Sequence, residues 1–153
     1  EIRLYNNELT SLDLSGAFTN LDELHCGLNE ITSLDVSGAS ALTTLKCQYN
    51  ELTSLDVSVN TALTHLFCYS NQITTLDVST NTALIDLSCS YNLLTSLDLR
   101  NGNNHNMSNV GASFNSGVPL VVYVDNITTA QTQVANLNWF FDGQEGIDYT
   151  FSL

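Results

Sequence analysis

The chain has 153 residues, 43% of them hydrophobic, which is enough for one domain with its own core. A formal net charge of −13, from 16 Asp and Glu against 3 Lys and Arg, disfavours partners that need a basic footprint, so no nucleic acid and no anionic lipid surface is expected. No stretch reaches the run of about 18 apolar residues that spans a bilayer, so no transmembrane segment is expected either.

The first residues already carry a pattern that later recurs: Ile2, Leu4, Asn7, Leu9, Leu12 and Leu14 are spaced as in every following copy. Neither a starting Met nor a signal-like apolar stretch precedes them, and the opening in mid-repeat reads as a processed or truncated start. The regular copies follow. Cys26, Cys47, Cys68 and Cys89 are 21 residues apart, and so are Asn29, Asn50, Asn71 and Asn92. Around them runs L-x-x-L-x-C-x-x-N-x-[LI]-T-x-L-D-[VL]-S, as in Leu45, Cys47, Asn50, Leu52, Leu55 and Val57.

Within each copy the apolar residues at positions 4 and 6 flank one variable residue, the alternation of a half-buried strand. The L-D-V triplet, Leu34-Asp35-Val36 for example, repeats that alternation and predicts a second extended segment facing the same core. One coil cannot bury its six apolar groups alone, whereas stacked coils share them. After Asn92 the spacing to Asn115 swells to 23 residues through an Asn-rich stretch, 101–106, before Met107, Val110 and Ala112 restore the pattern.

Leu120 to Asp125 reads as a last strand. Thr128 is the predicted cap of a short helix with Ala130, Val134 and Leu137 on one face, ahead of Trp139, Phe140 and Phe141. Asp142-Gly143 signals a turn, and Tyr149, Phe151 and Leu153 alternate like an edge strand. The expected division is repeats over 1–126, the first incomplete, and a capping segment over 127–153 with a short helix and edge strand.

The repeated string resembles the leucine-rich repeat, and more narrowly the 21-residue type of bacterial secreted and surface proteins. The resemblance covers Glu1 to about Asp125. It implies a mainly β, right-handed solenoid with parallel strands on the concave face, second short extended segments on the other side, and a small C-terminal cap. It also implies that the Leu and Cys positions are core, that the Asn positions form a ladder, and that the variable strand positions meet a partner.

Geometry separates structural from functional residues. Position 6 points inward on parallel strands about 4.8 Å apart, so Cys26, Cys47, Cys68 and Cys89 form a straight file, unsuited to a tetrahedral metal or to disulfides and expected as free structural thiols. Asn7, Asn29, Asn50, Asn71, Asn92 and Asn115 offer donors and an acceptor to turn backbone groups. The acidic file Asp13, Asp35, Asp56, Asp77 and Asp98 needs compensation for its like charges. Two readings stand: local bonds from Ser, Thr and backbone N–H groups, or calcium at Asp35, Asp56 and Asp77, although no D-x-D-x-D-G loop is present. Asp142, Glu145 and Asp148 are a weaker calcium candidate, and no other cofactor is expected.

His25, His65 and His105 are accompanied by no nucleophile elbow, HExxH, P-loop or paired-carboxylate signature, so no catalytic residue is assigned and the chain reads as a non-enzyme. The glycosylation-acceptor matches at Asn106 and Asn126 carry little weight in a protein of bacterial type. The variable outward positions 3, 5, 7 and 8 hold the candidate ligand-binding residues: Arg3, Tyr5, His25, Lys46, Gln48, Tyr49, His65, Phe67, Tyr69, Asp86, Tyr91, Phe114 and Tyr123. Exposed Tyr, Phe and Arg are the residue types that anchor partners. The expected function is recognition of a protein or peptide across the concave sheet by a secreted or cell-surface protein. The alternatives are a carbohydrate-binding domain, with rings stacking on sugars, and a passive spacer in a larger surface protein.

Overall fold

The computed structural model describes residues 1–115, 120–135, 139–140 and 149–153. Each repeat forms one coil, and all but the coil of β5 carry a strand on each side, giving in chain order β1 (Ile2–Arg3), β2 (Ser11–Asp13), β3 (Glu23–His25), β4 (Ser33–Asp35), β5 (Thr44–Lys46), β6 (His65–Phe67) and β7 (Thr75–Asp77). The series continues with β8 (Asp86–Ser88), β9 (Ser96–Asp98), β10 (Asn109–Gly111), β11 (Leu120–Tyr123), the helix α1 (Ile127–Ala135), β12 (Trp139–Phe140) and β13 (Tyr149–Ser152).

Seven strands build one parallel sheet in the order β1-β3-β5-β6-β8-β10-β12. Its register puts Leu24, Leu45, Leu66, Leu87 and Val110 in one line across the strands, each with no exposed surface. A residue shared between coils in this way escapes water on both sides, and each such leucine contributes about 1.5–3 kcal/mol. The residues before and after each of them point outward, so this sheet is the inner wall of the solenoid and presents positions 3 and 5 to solvent.

The L-D-V triplets form the opposite wall as expected, but not continuously. β2 pairs with β4, and β7, β9, β11 and β13 form a separate four-stranded sheet. Residues 54–56, between β4 and β7 in the stack, make no strand, although Leu55 and Val57 stay buried. The side-chain alternation therefore survives where the ladder hydrogen bonds do not, because core packing rather than backbone pairing holds that side. Gly38 marks the tightest approach of two coils: a Cβ there would lie 1.6 Å from the Gly16 carbonyl oxygen.

Between the walls run two polar files. Asn50, Asn71 and Asn92 behave alike; the Asn71 Nδ2 donates to the Cys47 and Cys68 carbonyls, both at 3.1 Å, and its Oδ1 accepts the Leu52 N–H at 3.0 Å. These bonds pair backbone groups that the turn would otherwise leave buried and orphaned. A second file, not foreseen, consists of Asn60, Asn81 and Asn101. The Asn60 Nδ2 donates to the Val36 and Ala39 carbonyls, the Asn81 Nδ2 to those of Val57 and Asn60, and the Asn101 Nδ2 to that of Asn81. Its signal was present in the repeated N-T-A-L at 60–63 and 81–84.

The C-terminal part corrects two expectations. The helix begins at Ile127, and its cap is Asn126 rather than Thr128: the Asn126 Oδ1 accepts the Thr129 N–H at 3.0 Å. Thr128 is already helical. β11 joins β9 and β13, not the inner sheet, so Tyr123 lies on the opposite wall beside Asp98. The strand that does continue the inner sheet is β12, after the helix. Leu137, Phe141, Asp142-Gly143 and the acidic group Asp142, Glu145 and Asp148 lie outside the described residues.

Candidate recognition face

The inner sheet and the turn that follows each of its strands bring most of the predicted site residues to one surface. Positions 5 and 7 at the first coils place Arg3, Tyr5, His25, Lys46 and Gln48 around a cleft of about 360 Å³. Register explains the grouping: Arg3 lies opposite His25, and His25 opposite Lys46. Two of the chain's three basic residues therefore share this cleft. Arg3 bonds through Nε to the Glu1 carboxylate, which lowers the Glu1 carboxyl below its ordinary range. Among the described residues no carboxylate lies within ion-pair distance of Lys46, whose Nζ lies 5.9 Å from the Phe67 ring centre. Its charge is thus available to a ligand.

Farther along the stack the surface becomes aromatic. Tyr49 and Tyr69 meet edge to face with ring centres 5.2 Å apart, and Phe67 stacks with His65 at 6.4 Å. Tyr91 and Phe114 lie face to face at 4.6 Å and 7°. The Tyr69 phenol is raised above its ordinary value, first by burial and then by the neighbouring Tyr49 and Tyr5 hydroxyls, so it stays a hydrogen-bond donor. His65 Nδ1 is 2.9 Å from the Thr64 hydroxyl, whose own proton goes to the Thr43 carbonyl. The Thr64 oxygen is thus left to accept from His65 Nδ1. Asp86 accepts a 2.8 Å bond from the Asn109 amide.

Position 8 has a feature that side-chain spacing does not reveal. Tyr49, Tyr91 and Phe114 all have φ of 55°, as Asn6, Leu28 and Ser70 do within three degrees. The left-handed conformation costs a non-glycine residue about 1–2 kcal/mol, yet half of these turns carry an aromatic residue that is 39–55% exposed.

Tyr123 is the one predicted residue that does not belong to this surface. On the other wall its ring lies under Arg100, 4.9 Å from the guanidinium carbon, while Arg100 pairs with Asp98. The acidic file is also on that wall. The Oδ1 atoms of Asp13, Asp35, Asp56, Asp77 and Asp98 each accept the backbone N–H two residues on, at 2.8–3.0 Å. Hydrogen bonds from Ser15 and Ser58 lower the carboxyls of Asp13 and Asp56, and the Arg100 guanidinium does the same for Asp98.

Among the described residues the acidic file brings no three ligand atoms together, whereas Glu1, Glu23 and His25 on the inner face do, within 4.8 Å of one another. Glu1 and Glu23, at repeat position 3 like His65 and Asp86, are not among the residues predicted from sequence. The four cysteines are free thiols, fully buried, and burial raises all of them, Cys26 and Cys68 to about 12. No helix of the described residues is long and apolar enough to cross a membrane.

No protein-family model and no curated protein matches the chain. Among solved structures it is similar to one described as the functional domain of InlJ from Listeria monocytogenes, which includes a cysteine ladder. The two share 30% identity with a TM-score of 0.71; the likeness covers 99% of this chain and 38% of the other. The fold is that of a bacterial leucine-rich-repeat protein, a mainly parallel β solenoid with a short helix near its C-terminus.

Proposed function

We propose that this leucine-rich-repeat solenoid is a non-catalytic recognition module of a secreted or cell-surface protein, and that it binds a protein or peptide across its inner sheet. One observation carries the reading: large rings are held exposed in backbone conformations that resist them. Tyr49, Tyr91 and Phe114 occupy left-handed turns in which glycine would be unstrained, and Tyr91 is 55% exposed. Folding gains little from an exposed ring, so strain of this kind points to a use outside the fold.

The rest of the face suits such a partner. Rigid aromatic groups bury much area with few rotors lost; Tyr49 and Tyr69 pair edge to face, and Phe67, two residues before Tyr69, lies beside Lys46 and His65. Arg3 and Lys46 favour a partner that is acidic where it meets the first coils. The remainder of the strongly negative surface would repel it elsewhere, which fixes orientation. The neighbour's fold is consistent with a protein-interaction role.

The test is a binding screen of the domain against surface-protein, peptide and glycan panels, run beside a Tyr49→Ala/Phe67→Ala/Tyr69→Ala variant. A protein or peptide hit that weakens with salt and is lost in the variant supports the reading. A glycan hit insensitive to salt would replace it with carbohydrate recognition, and silence across the panels would leave a spacer.

A further inference from the structure

The two carboxylates at the start of the inner sheet face one another across a strand pair. Ile2 is in register with Leu24, which sets Glu1 beside Glu23 one step back, with His25 two residues farther along the same face. Like charges directly opposite on neighbouring strands destabilise the pair, and Arg3 supplies a single positive charge against two negative ones. His25 adds a second irregularity. Its Nε2 is shielded from water and has no hydrogen bond, although the Glu23 Oε2 lies only 3.3 Å away. A shielded polar atom without a partner is destabilising, because it has lost its bond to water and gained none.

We propose that Glu1, Glu23 and His25 bind one divalent transition cation of the zinc type on this inner face, a site that goes beyond the recognition reading and does not depend on it. One ligand atom from each residue lies within 4.8 Å of the other two. A tetrahedral ion with bonds of about 2.0–2.2 Å has ligand atoms roughly 3.3–3.6 Å apart, and the His25–Glu23 separation of 3.3 Å already meets that edge. An imidazole with two carboxylates selects a borderline cation over calcium, which takes six or more oxygens. The ion would balance both carboxylates, satisfy Nε2, and leave its fourth position open toward the cleft of Arg3, Tyr5, Lys46 and Gln48. Arg3, with its side chain 71% exposed, can swing outward as the ion enters.

The experiment is calorimetric titration of the chelator-treated domain with Zn²⁺, with Co²⁺ as the spectroscopic probe and Ca²⁺ as the contrast. One equivalent should bind, with a cobalt spectrum of nitrogen and oxygen ligation free of a thiolate charge-transfer band. His25→Ala and Glu23→Gln should each weaken Zn²⁺ binding by at least the roughly 10–100-fold seen for loss of a mere supporting group. Should a variant unfold, the His25 ring resonances of the unaltered domain decide instead, shifting on Zn²⁺ addition ahead of those of His65 and His105. Absence of saturable Zn²⁺ binding, equal binding of Ca²⁺, a thiolate band, or a His25 ring that Zn²⁺ leaves unmoved would overturn the site.

Discussion

The side-chain amide of Asn71 holds the carbonyl of Cys47, 24 residues earlier in the chain, at 3.1 Å. With its bonds to Cys68 and Leu52, one amide thereby ties its own coil to the one before it. Asn71→Ala would leave the buried Leu52 N–H without a partner, at about 1–3 kcal/mol, and would remove one of the two amide bonds at the Cys47 and Cys68 carbonyls, which keep those from Asn50 and Asn92. A loss of about 2–3 kcal/mol is expected in urea unfolding. Asn60→Ala should cost about 1 kcal/mol, since the Asn60 Oδ1 is itself buried without a partner and Ala39 already occupies that place in the preceding coil. The reverse order would mean that the second file, not the first, holds the stack.

Ser70 tests the strain in the turns without touching the aromatic patch. Its φ is 55°, like that of Tyr49 and Tyr91. Ser70→Gly should relieve about 1–2 kcal/mol of left-handed strain against about 0.5–1 kcal/mol of added chain entropy, a net gain of about 0.5–1 kcal/mol. Ser70→Val should lower stability. Thermal melts of the two variants read the difference, and equal melting temperatures would contradict it.

Gly38→Ala should be severe. Its Cβ would fall 1.6 Å from the Gly16 carbonyl oxygen and 2.5 Å from that of Leu14, both backbone atoms that cannot swing aside. The coils of β2 and β4 would have to part, and a loss at or above the upper end of the roughly 1–3 kcal/mol for overpacking is expected by denaturant titration. Gly102→Asn is the contrast: its φ of 73° favours glycine, but open space surrounds it and Asn tolerates that region, so little change is expected.

The thiol file makes a prediction about pH. Burial raises the folded-state Cys26 and Cys68 from 9.0 to about 12, and raises Cys47 and Cys89 as well. Below pH 9 both states keep their protons and the thiols add no pH dependence. Above it the unfolded chain ionises first, so stability falls as pH rises through about 12, with a slope of up to about 1.4 kcal/mol per pH unit for each thiol. Iodoacetamide at pH 8 should label none of the four until the chain unfolds. Labelling of the native domain faster than its unfolding would contradict the buried file.

Much of this was legible from spacing. A 21-residue period fixed on Cys and Asn placed Leu24, Cys26 and Asn29 correctly, because a residue repeated at one place in every coil is held there by its neighbours above and below. Where the period slipped, reading failed. The Asn-rich stretch before Asn115 breaks the phase, so spacing alone puts Tyr123 on the inner sheet, whereas register puts it beside Asp98. The file of Asn60 and Asn81 is harder to see because it begins only in the second regular coil, Ala39 holding that place in the first. Glu1, Glu23 and His25 were invisible as a group since their proximity is a property of register between strands 22 residues apart.

The most direct test of the recognition face compares affinities for one partner found in the screen. Beside the unaltered domain stand the Tyr49→Ala/Phe67→Ala/Tyr69→Ala variant and one altered on the opposite wall, Asp13→Asn/Asp35→Asn/Asp56→Asn. Loss of two or three anchoring rings at about 2 kcal/mol or more each predicts a fall of about 1,000-fold or greater for the first, with the second within a few-fold of the unaltered protein. Affinity kept by the aromatic variant and lost by the acidic one would place recognition on the other wall and contradict the account.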